Sequence, residues 1–149
     1  MCRELSRSRT FEFLPHVADA YIAAYGRTLA EAFESAAFAM TELMTDAASI
    51  SEALEDEVSV SAHDEKALLY SWLEQLILNF DIEGKIYSRF KVTRIEQEDS
   101  GWILNAKLYG DTFDPERHPS RTEVKAVTYH KMEIRRGRNG YVVKFILDL

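Results

Sequence analysis

The stretch Asp64–Ile95, DEKALLYSWLEQLILNFDIEGKIYSRFKVTRI, contains a helix, a strand and the boundary between them. Leu68, Leu69, Trp72, Leu73, Leu76, Ile77 and Phe80 recur at three-and-four spacing, which draws one apolar stripe down a helix. Asp64 supplies a side-chain oxygen to cap the free N–H groups at its start, and Gly84 fits a left-handed stop beyond its end. Asp81 and Glu83 read as the helix exit rather than as an acid/base pair. From Ile86 onward the apolar period shortens to two, so the chain leaves this helix as a strand.

The same two patterns extend in both directions. Upstream, Thr28 and Glu31 have the Thr-x-x-Glu spacing of a capping box, and Leu29, Phe33, Ala36, Ala37, Met40, Leu43 and Met44 predict a second amphipathic helix ending near Thr45-Asp46. Residues 11–26 read as an extended segment, a polar break at Pro15-His16-Val17-Ala18-Asp19, and a strand closed by Gly26; Glu57–Ala62 alternates as a short strand. Downstream, Tyr87–Ile95 and Trp102–Tyr109 form a hairpin through Asp99-Ser100-Gly101. Residues 110–122, with two of the three prolines, make a long excursion. Val124–Tyr129, Met132–Arg136 and Tyr141–Leu147 add strands, the last two turning at Gly137-Arg138-Asn139-Gly140, where Asn-Gly favours positive φ. The expectation is a single α+β domain over 11–149, two amphipathic helices packed on a mostly antiparallel sheet, preceded by a flexible tail at 1–10.

At 149 residues, 46% hydrophobic and 29% charged, the chain suits one globular domain. Its formal net charge of -7 is the wrong sign for gripping a phosphate backbone unaided, and suits a basic partner instead. The lone Cys2 forms no internal disulfide, which fits a reducing cytoplasm. Three arginines in residues 1–10 are not followed by an apolar run, so neither a signal peptide nor a membrane anchor is expected.

No Gly-x-Ser-x-Gly elbow, phosphate-binding Gly-x-x-x-x-Gly-Lys loop, Gly-x-Gly-x-x-Gly, His-Glu-x-x-His or cysteine cluster is present, so the familiar enzyme classes lose weight. What remains is a set of carboxylates and histidines. His16 and Asp19 stand in the first polar break, where they could bind a metal, although the local sequence favours a turn-capping aspartate beside a surface imidazole. Asp148 and Leu149 place a side-chain carboxylate and an α-carboxylate within one residue of each other. Two anions that close favour a divalent cation or a basic neighbour if the strand end is fixed, and a solvated terminus if it is frayed. Strand alternation puts Lys125, Val127 and Tyr129 on one face and Ala126, Thr128 and His130 on the other. Asp111, Asp114, Glu116 and His118 do not match EF-hand spacing and are expected to form a solvated acidic loop.

These residues fall in an ordered series of blocks that resembles the archease family. Pro15-His16-Val17-Ala18-Asp19 resembles its amino-terminal His-Thr-Ala-Asp motif, and Tyr25–Phe33 the segment after it. Met44-Thr45-Asp46, Leu69–Glu74, Asp81–Gly84, Phe113–His118, Glu123–His130 and the Asp148-Leu149 end follow in order. The resemblance implies a non-enzymatic protein that assists guanylylation and repeated turnover of an RtcB-type RNA ligase in tRNA splicing and RNA repair. RNA is then met only indirectly, through the ligase. It also implies a metal site built from Asp19, Asp148 and Leu149, for which calcium or magnesium is the chemically suited cofactor. His16, Lys125, Thr128 and His130 are the neighbours expected to support the site or touch the partner. Val17 stands where the family commonly has threonine, which removes a hydroxyl beside the site. Two other readings fit the same residues: a metal-dependent hydrolase or phosphotransferase using His16 or His130 as base, and a general chaperone-like module.

Overall fold

The Thr28 hydroxyl accepts the Glu31 N–H at 3.1 Å, while the Glu31 carboxylate accepts the Arg27 N–H at 2.9 Å. This is the expected capping box, with the carboxylate reaching one residue further back than in the reciprocal form. It opens helix α1, Leu29–Met44. Asp64 accepts the Ala67 N–H at 2.8 Å and opens helix α2, Glu65–Glu83. Gly84 then takes φ 69, and its N–H returns to the Phe80 carbonyl at 2.9 Å. Both helices therefore begin where local chemistry requires, and α2 also stops there.

The computed structural model describes residues 10–14 and 19–149. The strands among them are β1 (Phe11–Leu14), β2 (Asp19–Gly26), β3 (Leu54–Ala62), β4 (Lys85–Glu98), β5 (Gly101–Thr112), β6 (Ala126–Gly137) and β7 (Gly140–Asp148). Every pairing among them is antiparallel, but the strands form two sheets rather than one, in the orders β1-β2-β7-β6 and β3-β5-β4. Both helices touch both sheets. Ala20, Ile22, Phe145 and Leu147 from the first sheet and Phe90, Leu104, Ala106 and Leu108 from the second meet Phe33, Met40, Leu69 and Trp72 in one core. The alanines Ala32, Ala36, Ala37 and Ala39 are fully buried on α1, which lets the helix backbone approach closely. A Cβ at Gly26 would stand 2.2 Å from the Ala32 nitrogen. No described helix is long and apolar enough to cross a membrane.

Four local expectations change. Asp19, assigned by sequence to the polar break, is the first residue of β2. Residues 126–137 form one strand rather than two, because β7 runs continuously beside them, and the interruption survives as a register shift between Thr128 and Glu133. In the last hairpin the positive φ falls on Gly140, at 138°, and not on Asn139. The excursion after β5 is not a fully solvated loop: His118 is completely buried, its Nδ1 accepting the Asp114 N–H at 2.9 Å. Further along, the Arg121 and Thr122 amides donate to the carbonyls of Met44 and Leu43, satisfying groups left open at the end of α1. That backbone task, invisible in composition, draws the polar-looking segment onto the fold.

Candidate metal centre

Strands β2 and β7 are neighbours in the interior of the four-stranded sheet, and their register pairs Asp19 directly with Asp148. The next residues inward, Ala20 and Leu147, are opposed and face the core. Alternation therefore turns both aspartates to the opposite face, away from the helices. Directly opposed residues on antiparallel strands have Cβ atoms about 4.5–5.5 Å apart, so both carboxylates are within reach of one ion. Asp148 is exposed and Asp19 half-buried.

The flanking strand steadies this end of the sheet. Ala126, the first residue of β6, pairs with Asp148, and the Lys125 N–H donates to the Asp148 carbonyl at 2.8 Å. The Asp148 backbone is thus tied on both sides. Leu149 follows with its side chain packed against the core, and its α-carboxylate lies one residue beyond Asp148.

Thr128 pairs with Ile146 and shares the outer face with Asp148, one rung further from the strand end. Lys125 is exposed just before the strand, and His130 is exposed in the irregular stretch of β6, its N–H donating to the Thr128 hydroxyl at 3.0 Å. A register shift follows Thr128; Tyr129 lies on the helix side with Val127, its ring against Tyr70 of α2. His16 and Val17 lie outside the described residues.

Two neighbours were not singled out from sequence. Tyr21 pairs with Ile146 on the rung beside Asp19, and the Lys131 ammonium stands 5.7 Å from the centre of its ring. Lys131 adopts φ 58, the only positive φ among the described non-glycine residues. The two separate apolar runs expected on either side of Lys131 left it in a presumed connection, with no signal for that backbone.

The donor set decides which ions fit. Among the described residues no group of three or more histidine, cysteine, aspartate or glutamate side chains comes together that could hold a metal ion; the candidate donors here are the paired Asp19 and Asp148. Oxygen-only donors suit calcium or magnesium, which complete their coordination with water or a partner's oxygens, better than zinc.

Two antiparallel sheets around two helices, with two aspartates paired across adjacent strands of the four-stranded sheet, define a small α+β protein. Residues 11–149 match the model of the Archease protein family (MTH1598/TM1083), and the chain belongs to that family. It is 45% identical over 142 residues to the protein archease of Pyrococcus furiosus, covering 95% of this chain and 99% of that protein. With the protein archease of Sulfolobus acidocaldarius it shares 42% identity over 139 residues, covering 93% and 98%. The solution structure of Methanobacterium thermoautotrophicum protein 1598 is similar with a TM-score of 0.82 and 40% identity, over 95% of this chain and 99% of that one.

Proposed function

We propose that this protein activates an RtcB-type RNA ligase, promoting guanylylation and repeated turnover of the ligase in tRNA splicing and RNA repair, and joins no RNA itself. Family membership supports the class of activity. The observation that carries the mechanism is the direct pairing of Asp19 with Asp148 across β2 and β7. In this reading Asp19, Asp148 and the Leu149 α-carboxylate hold a calcium or magnesium ion. A bound divalent ion supplies charge stabilisation for phosphate chemistry. The chain's own part is to fix two carboxylates on a hydrogen-bonded rung, so that little reorganisation is needed when the partner arrives. Lys125 steadies Asp148 through its amide, and Thr128 lines the same face.

The net charge of -7 supports contact with a basic protein surface and disfavours direct RNA binding. RNA is met only through the ligase. The single cysteine is consistent with action in the cytoplasm.

The test is RNA ligation by the cognate RtcB-type enzyme at limiting enzyme. Added protein is expected to convert a stalled, near-single-turnover reaction into repeated turnover. Asp19→Ala and Asp148→Ala each lose that gain while keeping the fold, and so does a chain extended beyond Leu149. No gain from the unaltered protein overturns the reading, and phosphoester cleavage by the protein alone, abolished in Asp19→Ala, would replace it with a hydrolase.

A further inference from the structure

Helix α2 carries a second row that its core stripe does not use. Tyr70, Glu74, Leu78 and Ile82 stand at successive i,i+4 positions, starting at the margin of the core and running obliquely onto the solvent side. Leu78 is 41% exposed and Ile82 76%. At the head of the row the Tyr70 ring stacks on Tyr129, with centroids 4.5 Å apart and planes within 9°, and Tyr129 is still 52% exposed.

Tyr129 opens an irregular stretch of β6. Residues 129–132 of β6 face the single residue Phe145 on β7, between the pairs Thr128–Ile146 and Glu133–Lys144. Lys131 bends the backbone at φ 58, which disfavours any residue carrying a Cβ, and Met132 returns to the core. Tyr129 lies on the helix side of the sheet, as the core residue Val127 does, with its ring against Tyr70 of α2.

The surroundings of the ring pair are acidic. Burial, the Asp64 charge, the Tyr70 phenol and the Glu74 charge, in that order, raise the Tyr129 phenol above its ordinary range. Glu74 stands one helical turn from Tyr70 on the same row of α2. Over its length α2 carries Glu65, Glu74, Asp81 and Glu83 against Lys66 alone.

We propose that the stacked Tyr70–Tyr129 pair and the Glu74–Leu78–Ile82 row form a docking surface for a protein partner that presents an arginine or lysine beside apolar side chains. The cation seats against the tyrosine rings within reach of Asp64 and Glu74, where ring quadrupole and carboxylate charge act in the same direction. The apolar part covers Leu78 and Ile82. A nucleic acid also stacks bases on aromatic rings, but it brings phosphates toward Asp64, Glu74 and Asp81, so charge selects a protein.

The inference rests on the reading that this chain acts through a ligase, and it names the surface the ligase grips. Tyr129 follows Thr128, whose strand partner Ile146 lies two residues from Asp148, so the docking surface meets the same end of the four-stranded sheet as the carboxylate pair, which turns to the face away from the helices.

The experiment measures the affinity of the RtcB-type ligase for variants whose fold and melting temperature match the unaltered chain. Tyr129→Ala, Glu74→Lys and Ile82→Ser each weaken binding by about tenfold or more, as expected when an interface anchor is removed, and Tyr129→Phe, which keeps the ring, restores it. Unaltered affinity in Tyr129→Ala and Glu74→Lys, with a wild-type protein that still stimulates ligation, overturns the docking surface and leaves the activator reading intact. A wild-type protein that neither binds nor stimulates the ligase overturns both. Loss of affinity for a single-stranded RNA oligonucleotide in Tyr129→Ala, with ligase affinity unchanged, overturns the proposal in favour of a nucleic-acid surface.

Discussion

The indole N–H of Trp72 donates to the backbone carbonyl of Phe33 at 2.9 Å, joining α2 to α1 at the centre of the core. Both side chains are fully buried, and Trp72 also meets the Phe90 ring edge-on at 6.3 Å between centroids. One residue thus links both helices to the three-stranded sheet. Trp72→Phe removes the hydrogen bond and leaves part of the indole volume unfilled, a loss of about 2–4 kcal/mol. Chemical denaturation is expected to show that loss. Thermal melting should fall by on the order of 10 °C.

Gly140 and Gly84 both take positive φ, yet their substitutions should differ sharply. At Gly140 an added Cβ would stand 2.3 Å from the Gly26 carbonyl oxygen, where the last hairpin rests on the end of β2. At Gly84 no atom lies within 4 Å of that position. Gly84→Ala meets only the left-handed backbone penalty of about 1–2 kcal/mol. Gly140→Ala adds a backbone collision, and its expected outcome is a chain that fails to fold or melts well below the Gly84 variant in parallel denaturation curves.

Glu34 provides a pH signature. Burial raises its carboxyl above the ordinary glutamate range, partly offset by the Val92 N–H that donates to it at 2.8 Å. A raised folded value means the native state binds this proton more tightly than the unfolded chain does. Its contribution to stability is full below the unfolded value and is lost as pH rises through the folded one. Glu34→Gln does not titrate and can still accept from Val92. The stability of Glu34→Gln minus that of the unaltered protein should therefore increase from pH 4 to pH 7, measured by denaturant titration at each pH. A difference that is flat or falls with pH contradicts the assignment.

The helices were legible because their signals are local: Thr28, Asp64 and Gly84 act on atoms within a few residues of themselves. The split into two sheets was not, since strand alternation says which face is buried but not which strand pairs with which. β2 pairs with β7 from the far end of the chain. Asp19, Asp148 and Leu149 were candidate oxygen donors by chemistry and were joined into one site only by the family resemblance, while the direct opposition of the two aspartates needed the register. The backbone at Lys131 was unreadable for a related reason: four residues opposite one is a property of a strand pair, which neither strand displays by itself. His118 looked like a loop residue because the backbone bonds that draw its segment inward leave no mark on composition.

The cation site at Asp19 and Asp148 is tested most directly by calorimetric titration of the purified chain with calcium and with magnesium. The unaltered protein should bind a single divalent ion saturably, and Asp19→Asn and Asp148→Asn should each weaken that binding by more than about tenfold, since each loses a charged oxygen ligand without losing shape. Saturable binding that persists at full affinity in both variants, or no saturable binding by the unaltered chain, would contradict it.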